Sequence, residues 1–295
     1  MHVRLGTFSP SVLLEVAART GALTAAGLTV QEIAVASSPA QFAALLDGDL
    51  DVVVTNPDNV VAYRCLHDNP LHWRGDVRII AALDRGLGLA LYGEPTCPSP
   101  EDLAGKVLGV DVATSGFAFV AYELLDRLRV RPYTVLPLGS TPRRAIALLS
   151  GRCSVTILNA GNDLRAEAAG AHRLAGVSSL GPYVGAVLAA RGETIDRNPD
   201  MVGALTRTLL ATSAELFEGK HKTLALQAAR RRLDLGEADA ARYVEIMLDS
   251  VEGLTPDGRM TPQDLRTTVA LRNRHSPKSQ RVTLQAVLDS GICQL

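Results

Sequence analysis

The chain opens on an alternating pattern. From its second residue, "HVRLGTF" (2–8) places apolar and polar side chains in turn, the period of a half-buried strand. "SPSVLLEVAARTGAL" (9–23) then carries apolar residues at helical spacing, with Ser9 placed to cap the helix and Pro10 at its first position. "LTVQEIAVA" (28–36) reads as a second strand, "SPAQFAALLDG" (38–48) as a helix capped by Ser38 and ended by Gly48, and "LDVVVTN" (50–56) as a third strand. The series recurs as "KVLGVDV" (106–112), a helix from about 115 to 128, "YTVLPLG" (133–139), a helix beginning at Thr141-Pro142, and "CSVTILN" (153–159). Strands alternating with helices of this length predict βαβ units and mainly parallel sheets.

The two series are copies of one another. "SSPAQFAALLDGDLDVVVTN" (37–56) aligns without a gap on "STPRRAIALLSGRCSVTILN" (140–159) at an offset of 103, setting Ser37 on Ser140, Pro39 on Pro142, Gly48 on Gly151 and Asn56 on Asn159. Leu5-Gly6 falls on Leu108-Gly109 at the same offset, so the repeat extends beyond one segment. Two copies imply two lobes.

The lobes are joined twice. "VRIIAALDRGLGLALYG" (77–93) and "LAGVSSLGPYVGAVLAAR" (174–191) are each long enough for two strands with Gly-containing centres, as expected of crossovers between lobes. Beyond them the chain is amphipathic helix, at about 199–218, 221–232, 236–251, 261–274 and 282–290, for which the first lobe is the expected scaffold. The predicted architecture is therefore α/β and two-lobed. Residues 1–86 and 183–295 form a discontinuous first lobe with the C-terminal helices, and 87–182 form the second.

Composition narrows the partners. With 30 basic and 31 acidic side chains the net charge is -1, which excludes the basic footprint of a nucleic-acid-binding protein. No run of about 18 apolar residues exists to span a membrane. The four cysteines are scattered; Cys65 and Cys153 read as buried packing thiols, and His67 and His72 are separated by Asn69-Pro70, which breaks helical register, so neither a metal nor a cofactor is expected. The N-terminus lacks the basic and apolar regions of a secretory leader, which predicts a cytoplasmic protein if Met1 is the natural start, and a transporter subunit only if a leader has been removed.

"FSPSVLLEVAARTGALTAAGLTVQ", "LLDGDLDVVVTN", "LGVDVATSGFAFVAYELL" and "GAVLAARGETIDRNPDMVGALTRTLLATSAEL" together resemble the type II periplasmic-binding-protein fold. The likeness runs over roughly residues 2 to 220. It is similar to the solute-binding proteins of sulfonate, nitrate and taurine importers and to the thiamine-pyrimidine-synthase-like family. The resemblance implies a ligand held between the lobes. Elementary reasoning points to the same place, because ligands of parallel sheets lie beyond the carboxyl ends of the strands, where helices start with unpaired N–H groups.

The candidate site follows. Ser9, Ser37, Ser38, Thr114, Ser115, Ser140 and Thr141 stand at predicted helix starts, either as plain caps or as donors to a carboxylate, sulfonate or phosphate. Asn56 and Asn159 end equivalent strands on opposite lobes and could orient a polar ligand across the cleft, or merely form Asx turns. Asp58 and Asn59 either cap the next helix or face the cleft. Arg85 is either a hinge residue in solvent or the partner of an anion, and Phe8, Phe117 and Tyr183 are the aromatic wall candidates.

Two functions compete. One is a receptor that closes on a small polar or anionic molecule. The other is a metal-independent lyase on the same scaffold, a decarboxylase, dehydratase or desulfinase of a cyclic or aromatic acid, with Asp58 or Asp111 as acid or base. The desulfinase-type enzymes that the chain resembles use a cysteine in the first strand-helix turn, where this sequence has Ser9.

Overall fold

A computed structural model describes residues 1–293. The strands, in order, are β1 (His2–Thr7), β2 (Thr29–Ala34), β3 (Val52–Thr55), β4 (Val77–Asp84), β5 (Ala90–Gly93), β6 (Val107–Val110), β7 (Thr134–Pro137), β8 (Val155–Leu158), β9 (His172–Gly176) and β10 (Ala186–Arg191). The helices are α1 (Val12–Arg19), α2 (Ala22–Ala25), α3 (Ser38–Asp47), α4 (Pro57–Cys65), α5 (Gly116–Arg127), α6 (Thr141–Leu149), α7 (Asn162–Ala168), α8 (Gly192–Arg197), α9 (Pro199–Phe217), α10 (Lys222–Leu233), α11 (Glu237–Met247), α12 (Pro262–His275) and α13 (Leu284–Asp289).

Two five-stranded sheets carry the two lobes, in the orders β2-β1-β3-β10-β4 and β7-β6-β8-β5-β9. The sequence repeat is also a repeat of strand register. Leu5 pairs with Val52 and Glu32 in the first sheet, and Leu108 pairs with Val155 and Val135 in the second, each position displaced by the same 103 residues. In each sheet one strand runs antiparallel to its neighbours: β10 lies between β3 and β4, and β5 lies between β8 and β9. That strand has just crossed from the other lobe, so its direction is opposite to the strands of the local βαβ units.

Small residues keep the repeat in phase. A methyl group at Gly6 would meet Leu50 at 2.6 Å, and one at Gly109 would meet Cys153 at 2.8 Å. Cys153 is the counterpart of Leu50 at the offset of 103, a buried packing group whose thiol burial pushes up to about 11. Gly48 and Gly151 both end their helices with positive φ, +78° and +71°, a conformation in which a side chain is strained.

The C-terminal helices depart from expectation. α9 and α10 pack on α1 of the first lobe as foreseen, but α11 touches α7, and α12 lies against α5 of the second lobe as well as α4 of the first. Arg272 of α12 makes a two-pronged ion pair with Asp58 of α4 at 2.7 Å for each bond, both side chains almost fully buried, and its guanidinium stacks over Phe119 of α5 at 5.1 Å. His275, at the end of α12, meets Glu123 of α5 at 2.9 Å. α12 is therefore a strap across both lobes, not a cover for one.

Candidate functional site

The carboxyl ends of β1, β3, β6 and β8 point into the space between the lobes, and there they enclose a cavity of about 130 Å³. Its wall is mostly apolar, with Phe8, Leu13, Val54, Leu83, Phe117, Met247 and Leu254, and the polar groups on it come from helix starts and strand ends.

Three helix starts open onto it. Ser11 caps α1 by accepting from the Leu14 N–H at 3.1 Å, and Ser115 caps α5 by accepting from Ala118 at 3.3 Å. Ser140 precedes α6 and gives its own N–H to the Ala36 carbonyl of the opposite lobe at 2.9 Å. Capping leaves donors over. Among the described residues the N–H groups of Val12, Leu13, Gly116, Phe117 and Thr141 have no acceptor, and all five residues belong to the cavity wall. α4 differs, since Asn56 Oδ1 takes the Asp58 N–H at 3.0 Å and its carbonyl takes that of Asn59.

Among the described residues one cation, Arg144, reaches the wall. Arg144 is 2% exposed and donates to the carbonyls of Gly139 (2.7 Å) and Ile157 (3.2 Å) and to Thr141 Oγ1 (3.0 Å), which leaves one of its five N–H bonds free. Burial, with no ion-pair partner among the described residues, pushes its guanidinium down to about 10. The repeat explains its posture. Arg144 is the counterpart of Gln41, whose Nε2 donates to Val54 O at 3.0 Å, and Val54 is the counterpart of Ile157. The second lobe thus carries a charge where the first carries an amide.

Two carboxyl groups share the wall, Asp84 at the end of β4 and Asp111 after β6. Burial pushes Asp84 up to about 6, against the pull of the Gly86 and Ala186 N–H groups that it accepts. Asp163, just outside the cavity in α7, is pushed up to about 7 by burial in the same way.

The lobes are closed on this space. Besides Ser140 to Ala36, the Ser38 N–H reaches Asp111 Oδ2 at 3.0 Å and Asn162 Nδ2 reaches Ser9 Oγ at 3.1 Å. Gly116 lies so near α4 that a methyl group there would come within 2.1 Å of Asn56 Oδ1.

The candidate residues sort accordingly. Phe8, Ser9, Asn56, Asn59, Asp111, Ser115, Phe117, Thr141 and Asn159 line the cavity. The two asparagines do more than line it: Asn56 Nδ2 donates to Gly185 O at 3.0 Å and Asn159 Nδ2 to Gly86 O at 2.8 Å, so each holds the backbone of one crossover. The crossovers themselves touch, since a methyl group on Gly185 would fall 2.4 Å from Gly86 Cα. Ser37 and Ser140 lie at the rim, beside shallower grooves, and Ser38 reaches the wall only through its bond to Asp111.

Several readings need correction. The α1 cap is Ser11, not Ser9; the α3 cap is Ser37, not Ser38; and α4 is capped by Asn56, with Asp58 and Asn59 inside its first turn. Asp58 does not face the cavity, because Arg272 occupies its carboxylate; burial pushes that carboxyl up while Arg272 pulls it down. Arg85 pairs with Asp264 at 3.4 Å, outside the wall. Tyr183 is packed in the second lobe with its hydroxyl accepting from Asn56 at 2.8 Å, and Thr114 stands off the cavity. Arg144 was missed, although it occupies an apolar-stripe position of α6 with Thr141, Ala145 and Leu148, where a charge is out of place.

No protein-family model matches the sequence, and no curated protein does either. Solved structures do match. The alkanesulfonate-binding protein SsuA of Xanthomonas axonopodis pv. citri, bound to MOPS, superposes with a TM-score of 0.76 at 15% identity, over 97% of both chains. The periplasmic nitrate-binding protein NrtA of Synechocystis gives 0.75 at 10% identity, over 99% of this chain and 86% of that one. A Candida albicans protein described as having the generic periplasmic-binding-protein fold gives 0.67 at 11%, over 100% and 96%. The chain has the two-lobed α/β periplasmic-binding-protein fold. No helix among the described residues is long and apolar enough to cross a membrane.

Proposed function

We propose that the chain is a solute receptor that closes on a small organic molecule and holds its anionic group between the lobes. The observation that carries this reading is that Val12, Leu13, Gly116, Phe117 and Thr141, at the starts of α1, α5 and α6 and with no acceptor for their N–H groups among the described residues, line one cavity together with the buried Arg144. Helix starts carry partial positive charge, and in a site sheltered from water their attraction for an anion is weakly screened. The apolar wall suits a carbon skeleton better than a bare inorganic ion. Neighbours described as alkanesulfonate- and nitrate-binding support a solute-binding role.

The lyase alternative draws no comparable support, since Asp58 is held by Arg272 and no neighbour described above is named as an enzyme. The expectation of a cytoplasmic location is likewise unsupported; the nitrate-binding neighbour is described as periplasmic. Calorimetric titration of protein stripped by unfolding and refolding, with propanesulfonate, butyrate and MOPS, tests the proposal. Saturable one-to-one binding of at least one, weakened by Arg144→Gln, is expected. Absence of binding by all three, or binding indifferent to Arg144→Gln, overturns it.

A further inference from the structure

The mouth of the cavity carries charge that the fold does not use. A groove of about 440 Å³ lies on the seam between the lobes and shares Phe8, Pro10 and Ala160 with the cavity wall. Ala36 and Ser140, bonded across the seam at 2.9 Å, both line it, and Asn162 of the groove reaches Ser9 of the cavity at 3.1 Å. The groove therefore stands just outside the cavity, along the line where the closed lobes must part to admit a ligand.

Three arginines line this groove, Arg143 of α6, Arg165 of α7 and Arg232 of α10, and no aspartate or glutamate does. Arg232 is paired with Glu32, whose other oxygen accepts from Thr7 Oγ1 at 3.0 Å and from the Ser11 N–H at 2.8 Å. Arg143 and Arg165 are exposed and, among the described residues, have no ion-pair partner. The shared plan of the lobes does not require them, since their counterparts at the offset of 103 are Ala40 and Ala62. A chain of net charge -1 thus places two unneutralised guanidiniums at one end of the anion site proposed above. A cleft lined by charge of one sign draws the opposite charge from solution and raises its rate of arrival about 10- to 1000-fold, an effect that salt removes. Charges at such a rim act before the ligand is seated, so they govern association more than dissociation.

Resting on the anion reading above, we propose that this groove is the entrance to the cavity and that Arg143 and Arg165 form an outer capture site. They take the acidic group of an organic anion first and pass it to the helix starts as the lobes close.

Line-shape analysis of ligand proton resonances, during titration of the stripped protein with propanesulfonate, butyrate and MOPS, gives association and dissociation rates separately. For a compound that binds, association with the parent should slow at least about fivefold between about 20 and about 200 mM potassium chloride. The double variant Arg143→Gln, Arg165→Gln should associate about five- to tenfold more slowly at the lower salt, lose most of that salt dependence and dissociate within about twofold of the parent. A control, Arg197→Gln with Arg259→Gln, removes the same charge from side chains that are 76% and 84% exposed and outside both groove and cavity, and should associate within about twofold of the parent. Melting curves check that both variants fold. Association kept within about twofold by the Arg143, Arg165 variant, an equal loss in the control, or a loss carried by dissociation alone overturns the capture site and leaves the receptor standing. Failure of all three compounds to bind overturns both.

Discussion

Replacing Arg144 by glutamine separates what the guanidinium does for the fold from what it does for a ligand, because Gln41 shows the first lobe already built that way. A guanidinium held at about 10, well below its ordinary value, is destabilised as a cation by folding. The depression corresponds to about 3 kcal/mol, a cost present below pH 10 and fading as pH rises above it. Glutamine removes that cost and can keep the bond to Ile157 O, as Gln41 keeps the one to Val54 O, but it loses Gly139 O and Thr141 Oγ1, worth about 1 kcal/mol each. The unliganded variant should therefore be as stable as the parent or about 1 kcal/mol more stable, a rise of about 2–4 °C in melting temperature at most. Ligand affinity moves the other way. Loss of a charged hydrogen bond worth about 1.5–3 kcal/mol should weaken an organic anion about 10- to 150-fold. Scanning fluorimetry of both proteins with and without propanesulfonate or MOPS reads the two effects together, and Arg85→Gln, outside the wall, should leave affinity within about twofold. A variant that melts several degrees lower while keeping its ligand-induced shift would refute the reasoning, since Arg144 would then be a structural residue only.

Gly116→Ala should wedge the lobes, because its methyl group meets Asn56 and the Cβ of Asp58 at 2.1 and 2.8 Å; ligand affinity should fall at least about tenfold, and solution scattering should show an unliganded form that does not compact on adding ligand. Asp58→Ala should destabilise by about 3–5 kcal/mol in denaturant melts by leaving Arg272 buried and unpaired, and a loss below about 1 kcal/mol would mean that the strap is not anchored there. Asp84 and Asp163, pushed up to about 6 and 7, favour their protonated forms in the folded state, so the stability they contribute is complete below pH 4 and is lost as pH rises to 7. Asp163→Asn should accordingly stabilise by up to about 4 kcal/mol at pH 8 and by little at pH 4, and equal effects at both values would exclude the titration as the cause.

The alternating and helical periods, the Gly48 and Gly151 stops and the offset of 103 were enough to place the β-strands and helices of both copies, because local backbone preference and the need to bury one face act along the chain itself. Cap assignments slipped by one to three positions at α1, α3 and α4, where several Ser, Asp or Asn residues compete and packing chooses among them. At the site, the strand-end asparagines and the aromatic pair Phe8 and Phe117 were legible from position alone. Arg144 was legible in principle, as a charge on an apolar stripe aligned with Gln41. Arg85, Asp58 and Tyr183 were not, since their partners Asp264, Arg272 and Asn56 lie far away in sequence.

The sequence by itself determined the architecture, two copies of one βαβ plan joined by two crossovers, and the side of each sheet on which helices start. Tertiary structure alone decided how each charge is used. A buried charge is fixed by whichever partner packing brings within about 3 Å, and no period along the chain records that distance. Packing gave Asp58 to Arg272 and Arg85 to Asp264, and left Arg144 and Asp111 on the wall of one cavity with no ion-pair partner among the described residues.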